Sequence, residues 1–352
     1  MKQIFKSFFV ILFCLFVIIL CQQAPKSNAE MLNELLTANE EATIIVTDSG
    51  LGGLSIAADL AHRLPQSGVF RKARIVFFSA LFKEKSGYNS LKNEADKVRI
   101  FDIVLKTIEK KYKPDLLLIG CNTLSVVYNQ TSFAEKPIFP VVGIVEKGVD
   151  MIAQQFDRTP DAIALLFATR TTIGSNAHKN KLIEQGYSAE QIIGQACHKL
   201  AGAINRGYDS EETVGLIWGC VDEALRKLSK PDPSIFVSLN CTDYGYSIEQ
   251  FRDIFAERDY PDVTIIDPNP HMVDFMFESR YLHRFPQTQV EIEVISKTVF
   301  TEEMIHSVGV LLRKISLETA EALKNYQYVP ELFDPKIEGI DFTDEDLSPI
   351  SK

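Results

Sequence analysis

The sequence of 352 residues predicts an α/β protein of two similar domains, each a parallel β-sheet flanked by helices. Two observations support this class. Apolar runs with the character of buried strands alternate with segments of helical periodicity, and this alternation is typical of parallel sheets covered by helices. An apolar run that ends in a cysteine and a small polar turn also occurs twice, at Leu116–Ser125 and at Ile235–Gly245. This repeat indicates two domains of the same kind.

The first domain is expected to span residues 42–143 and to be completed by 268–330. It begins with the strand ATIIVT, followed by the glycine-rich turn DSGLGG and the helical segment LSIAADLAHRL. The runs ARIVFF and PDLLLIG predict two further strands. Between them, the segment NEADKVRIFDIVLKTIEKKY carries its apolar residues at helical spacing, so we expect a long helix there.

The second domain is expected to span residues 144–267. Its strands are predicted at DAIALLFAT, AEQIIGQA, PSIFVSL and VTIID, with a long helix after ATRTTIGS. Another helix is predicted from Ser210 to Lys230, because its apolar residues share one face and Ser210 is a natural N-cap. The acidic, proline-broken tail, residues 331–352, is expected to be an extension without a core of its own.

The N-terminus has the features of an export signal. Two lysines precede an unbroken apolar stretch, Phe8–Cys21, which is short for a membrane span, and the small residue Ala29 follows at a suitable cleavage position. We therefore expect residues 1–29 to be an export signal peptide and the protein to reach the periplasm or cell envelope. An uncleaved anchor and a lipoprotein signal that uses Cys21 stay open, although the bulky Leu20 disfavours lipid attachment.

The formal charge of −10 argues against a nucleic-acid partner, because proteins that bind nucleic acids usually display a clustered basic face. The six histidines show no spacing typical of metal ligands, so no metal site is predicted. The membrane is expected as a partner only through the N-terminal signal or a lipid anchor. A homodimer is left open.

Polar clusters follow several predicted strands at the point where each strand ends. In open parallel sheets, ligands bind at the carboxyl ends of the strands, beside helix N-termini whose backbone N–H groups suit a carboxylate. Four clusters occupy such positions: Asp48-Ser49-Gly50, Cys121-Asn122-Thr123, Cys241-Thr242-Asp243 and the hydroxyl-rich segment from Thr169 to Ser175.

The cysteines allow a structural and a catalytic interpretation. Four of the six cysteines remain after residues 1–29 are removed, and cysteines in an exported protein often form disulfides or pack as small apolar side chains. Cys121 and Cys241, however, lie just beyond a strand, where a helix N-terminus can lower the pKa of a thiol. Cys197 and Cys220 are expected to be structural. The residues alone leave both interpretations of Cys121 and Cys241 open.

The motifs DSGLGGLS, GCNTLSVV, VVGIVEKGV, ATRTTIGS and NCTDYG, in this order, resemble the glutamate racemase branch of the aspartate/glutamate racemase family. The resemblance covers nearly the whole chain after the export signal. It implies two α/β domains with the active site in the cleft between them and an exchange of the substrate's Cα proton that needs no cofactor. One cysteine removes the proton from one face and the other returns a proton to the opposite face. Inversion at carbon requires a base and an acid on opposite faces, which accounts for two thiols.

The resemblance also implies roles for individual residues. Asp48 would assist Cys121, and the substrate's amino and carboxylate groups would be held by Ser49, Asn122, Thr123 and Thr242. Tyr88 and Asn89 stand where the family usually has Pro-Tyr-Gly and are candidate substrate contacts, and Thr172 is a candidate substrate hydroxyl. If Cys121 and Cys241 flank a substrate, they cannot approach to disulfide distance.

Two positions depart from the family's pattern. The family's Cys-Thr-His-Tyr-Pro is Cys241-Thr242-Asp243-Tyr244-Gly245 in this chain, and Asn205 stands where an assisting glutamate is expected. An ionised Asp243 would disfavour the Cys241 thiolate, or it would accept the thiol proton as a base, and both interpretations stay open.

The sequence therefore predicts an amino-acid racemase for glutamate or a related acidic α-amino acid, with catalytic residues Cys121, Cys241, Asp48 and Asp243. Its expected partner is a small-molecule amino acid. Two alternatives stay open. One is an aspartate or hydantoin racemase-like isomerase, and the other is an exported amino-acid-binding protein that kept the fold and lost turnover.

Overall fold

Two parallel β-sheets flanked by helices make up the fold, which confirms the predicted α/β class. A computed structural model describes residues 26–84, 87–229 and 233–342. The strands are β1 (Glu41–Asp48), β2 (Lys72–Ser79), β3 (Leu116–Ile119), β4 (Val141–Gly143), β5 (Ile163–Ala168), β6 (Ile192–Ala196), β7 (Ile235–Leu239), β8 (Thr264–Ile266), β9 (Gln289–Ser296) and β10 (Gln327–Tyr328).

Twelve α-helices connect and cover these strands within the described ranges. They are α1 (Asn28–Ala38), α2 (Leu54–Ser67), α3 (Glu94–Tyr112), α4 (Asn122–Tyr128), α5 (Ile144–Arg158), α6 (Arg170–Gly174), α7 (Ala177–Glu184), α8 (Leu200–Arg206), α9 (Glu211–Leu225), α10 (Ile248–Glu257), α11 (Glu302–Leu312) and α12 (Leu317–Lys324).

The first sheet has the strand order β10-β9-β2-β1-β3-β4, and the second has the order β6-β5-β7-β8. Each strand pairs in parallel with its neighbours. We keep the domain limits proposed from the sequence. To within one residue, the strands of the first sheet lie in residues 42–143 and 268–330, and those of the second sheet lie in residues 144–267. The first half and the second half below refer to these two sets.

The central strand of the first sheet, β1, is buried on both faces. Ile44 and Val46 face one apolar cluster and Ile45 faces another, so helices must cover both sides of the sheet. The strand β9 differs, because its first residues alternate between exposed and half-buried positions. Because of these polar residues the sequence shows no apolar run at β9, and the strand is not predicted.

Two helices of the second half were predicted from the sequence, and the structure agrees with the prediction more closely for α9 than for the helix after ATRTTIGS. Ser210 caps α9 by accepting a hydrogen bond from the backbone N–H of Thr213, which confirms the predicted helix start. The helix predicted after ATRTTIGS is present as α7, and Asn176, at φ 54°, separates it from the short α6. It has only eight residues, because Gly186 adopts a positive φ of 101° just beyond its end.

The first and last described segments pack more closely on the first half than expected. Ser27 caps α1, and Asn28 pairs with the edge strand β4 through hydrogen bonds of 3.0 and 2.7 Å to the backbone of Val141. At the other end, Leu332 and Phe333 are buried in the first half, so the tail begins as part of that core and not as a free extension. The predicted export signal up to residue 25 and the last ten residues lie outside the described ranges. In the part of the chain that is described, every helix is too short or too polar to cross a membrane.

Candidate functional site

The two predicted cysteines occupy equivalent positions in the two halves. Cys121 follows β3 and is the N-cap of α4, while Cys241 follows β7 and precedes the 3₁₀ helix Thr242–Ser247. Both residues adopt extended backbone conformations, and their exposed fractions are 5% and 7%. The parallel strands thus deliver two buried thiols to the carboxyl ends of both sheets.

A hydrogen-bond network around Asp48 joins the halves next to Cys121. The carboxylate accepts hydrogen bonds of 2.8 Å from the backbone N–H groups of Gly50 and Gly53. It also accepts a bond of 2.7 Å from the Thr242 hydroxyl of the second half. Ser49 Oγ lies 3.1 Å from Cys121 Sγ. Burial raises the pKa of Asp48 to about 6 against these stabilising bonds, so Asp48 is mostly ionised at neutral pH.

Asp243 lies beside Cys241, as Asp48 lies near Cys121. The Cys241 thiol donates to Asp243 Oδ2 across 3.7 Å. Burial, reinforced by the charge of Asp48, raises the pKa of Asp243 to about 8, while the Asn205 amide beside it acts in the opposite direction. The raised pKa favours the protonated form of Asp243, whereas its ionised form opposes formation of the Cys241 thiolate.

Burial is also the main influence on the pKa values of the two thiols. It raises the pKa of Cys121, and the charge of Asp48 raises it further, while the Ser49 hydroxyl lowers it. Burial, Asp243 and Cys121 together raise the pKa of Cys241. The backbone N–H of Leu124, at the start of α4, lowers the pKa of Cys121, but burial outweighs this effect. The bond from Thr242 to Asp48 and the contact of Ser49 with Cys121 bring the surroundings of the two thiols together. The four cysteines of the described ranges are unpaired, so the disulfide interpretation is not realised.

A cluster of three hydroxyls closes another side of the site. Thr123 Oγ1, from the first half, lies 2.9 Å from Thr169 Oγ1 and 3.5 Å from Thr172 Oγ1, both from the second half. Thr169 and Thr172 are 3.1 Å apart. The sequence placed Thr169 in a hydroxyl-rich segment at a strand end but gave a substrate contact only to Thr123 and Thr172. Its position as the first hydroxyl after β5, where it caps α6, was the available signal.

Asn122 is the residue best suited to contact a ligand. Its exposed fraction is 2%, and within the described ranges neither its amide nitrogen nor its amide oxygen has a hydrogen-bond partner. Buried polar atoms are normally paired, so both atoms are suited to groups of a bound molecule. The Tyr88 hydroxyl is also buried and has no hydrogen-bond partner among the described residues, whereas Asn89 Oδ1 accepts a bond of 3.0 Å from the Thr171 hydroxyl of the second half.

These residues together form one site between the halves. Each half contributes a thiol with a carboxyl group beside it, and burial raises the pKa of both carboxyl groups. Buried carboxyl groups with raised pKa values are typical of sites that transfer protons. The arrangement is suited to proton transfer on two faces of a small polar molecule.

The raised pKa of Asp243 predicts a pH-dependent stability. The unfolded state releases the proton near pH 4 and the folded state near pH 8, so the stability from this group is present at low pH and is lost as pH rises between these values. The variant D243N cannot ionise. Its melting temperature relative to the native protein should rise steadily from pH 4 to pH 8 in thermal unfolding.

The exposed Asp253 in α10 supplies a matched control for this measurement, and D253N should show no such trend. Parallel stability curves for D243N and the native protein would exclude a raised pKa of Asp243.

The sequence is similar to curated glutamate racemases. The enzyme of Escherichia coli O7:K1 is 30% identical over 223 residues, which cover 61% of this chain and 70% of that protein. The enzyme of Chlorobaculum tepidum is 25% identical over 231 residues, covering 65% and 76%. That of Oceanobacillus iheyensis is 25% identical over 292 residues, covering 78% and 98%. No family model matches the sequence.

Solved structures of glutamate racemases share the fold. The enzyme from Francisella tularensis in complex with D-glutamate has a TM-score of 0.60 at 20% identity, covering 78% of this chain and 95% of that chain. A glutamate racemase isoform from Bacillus anthracis also has a TM-score of 0.60 at 20% identity, covering 79% and 96%.

Proposed function

The chain belongs to the glutamate racemase family, and on this premise we propose that it racemises glutamate or a closely related acidic α-amino acid by two-cysteine proton exchange without a cofactor. One observation carries the proposal. Cys121 and Cys241 come from opposite halves, the hydrogen bond from Thr242 to Asp48 joins their surroundings, and each has its own carboxyl group nearby. Two-base inversion needs this pairing of proton donors and acceptors on two sides of the substrate.

The proposed reaction begins at Cys121. The ionised Asp48 accepts the thiol proton, and the resulting thiolate removes the Cα proton from one face of the substrate. The electron pair left on Cα takes a proton from the Cys241 thiol on the opposite face. The protonated Asp243 then returns a proton to the Cys241 sulfur. In the reverse direction, each of these proton transfers runs backwards.

Polar groups around the thiols would hold the substrate during this exchange. The unpartnered amide of Asn122 offers a donor and an acceptor, and the Thr242 hydroxyl lies at the junction of the halves. Ser49, beside Cys121, and the hydroxyl cluster of Thr123 and Thr172 complete the proposed contacts. Preorganised donors of this kind stabilise charge that develops on the substrate carboxylate as Cα loses its proton.

A binding protein is the second candidate, and Asp243 favours it. A protonated carboxyl group beside Cys241 is a poor base, so removal of a Cα proton by Cys241 starts from an unfavourable protonation state. A protein with this site could bind an amino acid and turn it over slowly or not at all.

Proton NMR in D₂O tests the proposal directly. The purified protein is mixed separately with L-glutamate and D-glutamate, and the Cα proton signal is followed together with the enantiomer ratio by chiral chromatography. We expect both starting enantiomers to lose the Cα proton and to converge on a ratio near one. Aspartate, glutamine and alanine serve as comparison substrates. Saturable binding of glutamate without any loss of the Cα signal would replace the racemase by the binding protein.

We also propose that the chain is exported, with the signal ending upstream of Ser27 and not at residue 29. Cleavage after Ala29 would remove the N-cap of α1 and the two hydrogen bonds between Asn28 and Val141. Loss of an N-cap alone costs about 1 kcal/mol. Intact-mass analysis of the envelope fraction should therefore find a mature protein that retains Ser27. A soluble cytoplasmic protein that retains Met1 would exclude export, and a lipid adduct on Cys21 would identify a lipoprotein.

A further inference from the structure

Lys97 is a charged side chain in an unusual place. It lies in the first turns of α3, and its exposed fraction is only 9%, although lysine is among the residues least often buried. Burying an ammonium group is costly unless polar or anionic groups compensate it. Polar groups must therefore surround the Lys97 ammonium.

The contacts of Lys97 point toward the site between the halves. Its Nζ lies 2.7 Å from Thr171 Oγ1 in the second half, and the same hydroxyl donates a bond of 3.0 Å to Asn89 Oδ1. Thr171 directly precedes Thr172, whose hydroxyl belongs to the cluster with Thr123 and Thr169. The ammonium group thus lies one hydrogen bond and one residue away from the polar wall of the site.

The charge of a substrate gives this placement a function. An acidic α-amino acid brings one ammonium group and two carboxylates into a site that already contains the ionised Asp48. The second carboxylate needs a compensating cation in this buried environment, because like charges repel strongly where water is excluded. Lys97 supplies a positive charge behind hydroxyls that can contact a carboxylate.

We propose that Lys97 is a specificity-determining residue that selects substrates with an anionic side chain. This inference rests on the proposed function, because it assumes that the amino-acid substrate binds at the site between the halves. Lys97 acts through Thr171 and the field of its charge, so it is a positioning residue and takes no part in the proton transfers.

Glutamate and glutamine form the test pair, because they differ in side-chain charge and hardly in size. Calorimetry gives the Kd of each, and Cα exchange in D₂O gives kcat and KM where turnover occurs. The variants are K97M, which removes the charge but keeps the apolar stem, and K97R, which keeps the charge. Lys106, an exposed residue of the same helix that pairs with Asp102, supplies the control K106M.

We expect the native protein to prefer glutamate and K97M to lose that preference at least tenfold, through weaker binding of glutamate with glutamine changed less than threefold. K97R and K106M should keep the preference. The inference is overturned if K97M keeps the native preference, if it weakens both ligands equally, or if the native protein does not distinguish them. If K97M loses the preference but no protein exchanges a Cα proton, the racemase proposal fails and the inference on Lys97 stands.

Discussion

Replacing either Cys121 or Cys241 by serine should abolish inversion of glutamate, with a loss of at least a thousandfold in kcat/KM. A serine hydroxyl is a far weaker acid than a thiol, so neither Asp48 nor Asp243 can generate the required base from it. The two residues act as a unit, and the double variant should therefore be no less active than either single variant. Chiral chromatography from each enantiomer measures this loss.

The single variants should differ from each other in a second measurement. A lone thiol can exchange the Cα proton on its own face with solvent deuterium without inversion, so C241S should still exchange one enantiomer and C121S the other. The control is C220S, which changes a cysteine of α9 whose neighbours are mainly apolar. If C121S or C241S still interconverts the enantiomers at the native rate, two-cysteine catalysis is excluded.

The variant G52A should have the next largest effect. A Cβ atom at Gly52 would lie 2.4 Å from the backbone nitrogen of Asp243 and 2.6 Å from Thr242 Oγ1, well inside normal contact distances. These neighbours belong to the other half and include backbone, so the halves must separate to make room. Their separation would break the bond from Thr242 to Asp48. We expect at least a hundredfold loss of activity, because small displacements of catalytic groups are costly.

The same substitution should destabilise the fold by about 1–3 kcal/mol, as overpacking usually does. Gly219 in α9 is the matched control, because a Cβ there meets no described atom within 4 Å. G219A should keep native activity and should gain stability, since alanine favours the helix interior by about 1 kcal/mol relative to glycine. Native activity of G52A would contradict the close approach of the halves.

Features that depend on local chemistry could be predicted from the sequence. The apolar runs predicted β1, β3, β5 and β7, because strands buried on both faces need no polar alternation. Ser210 predicted a helix start by its capping chemistry. The positions of Cys121 and Cys241 beyond strand ends followed from the same pattern.

Features that depend on which segments come together could not be predicted in this way. The strand β9 carries polar residues on its exposed positions, and β4 has only three residues. Thr169 and Lys97 are ordinary residues of a cap and a helix until the second half is placed against the first. The protonation of Asp243 likewise depends on complete burial next to Asp48, which no local pattern encodes.

The pairing of β2 with β9 has a consequence for the synthesis of the chain. The four strands of the second sheet are all translated before β9, so the second half can fold as a continuous unit while β2 is paired only with β1 and its other edge is open. Contacts between distant segments form late, and an unpaired strand edge readily recruits other chains. A nascent chain that stops before Gln289 should therefore bind chaperones or aggregate through the open edge of β2, even though its second half is already complete.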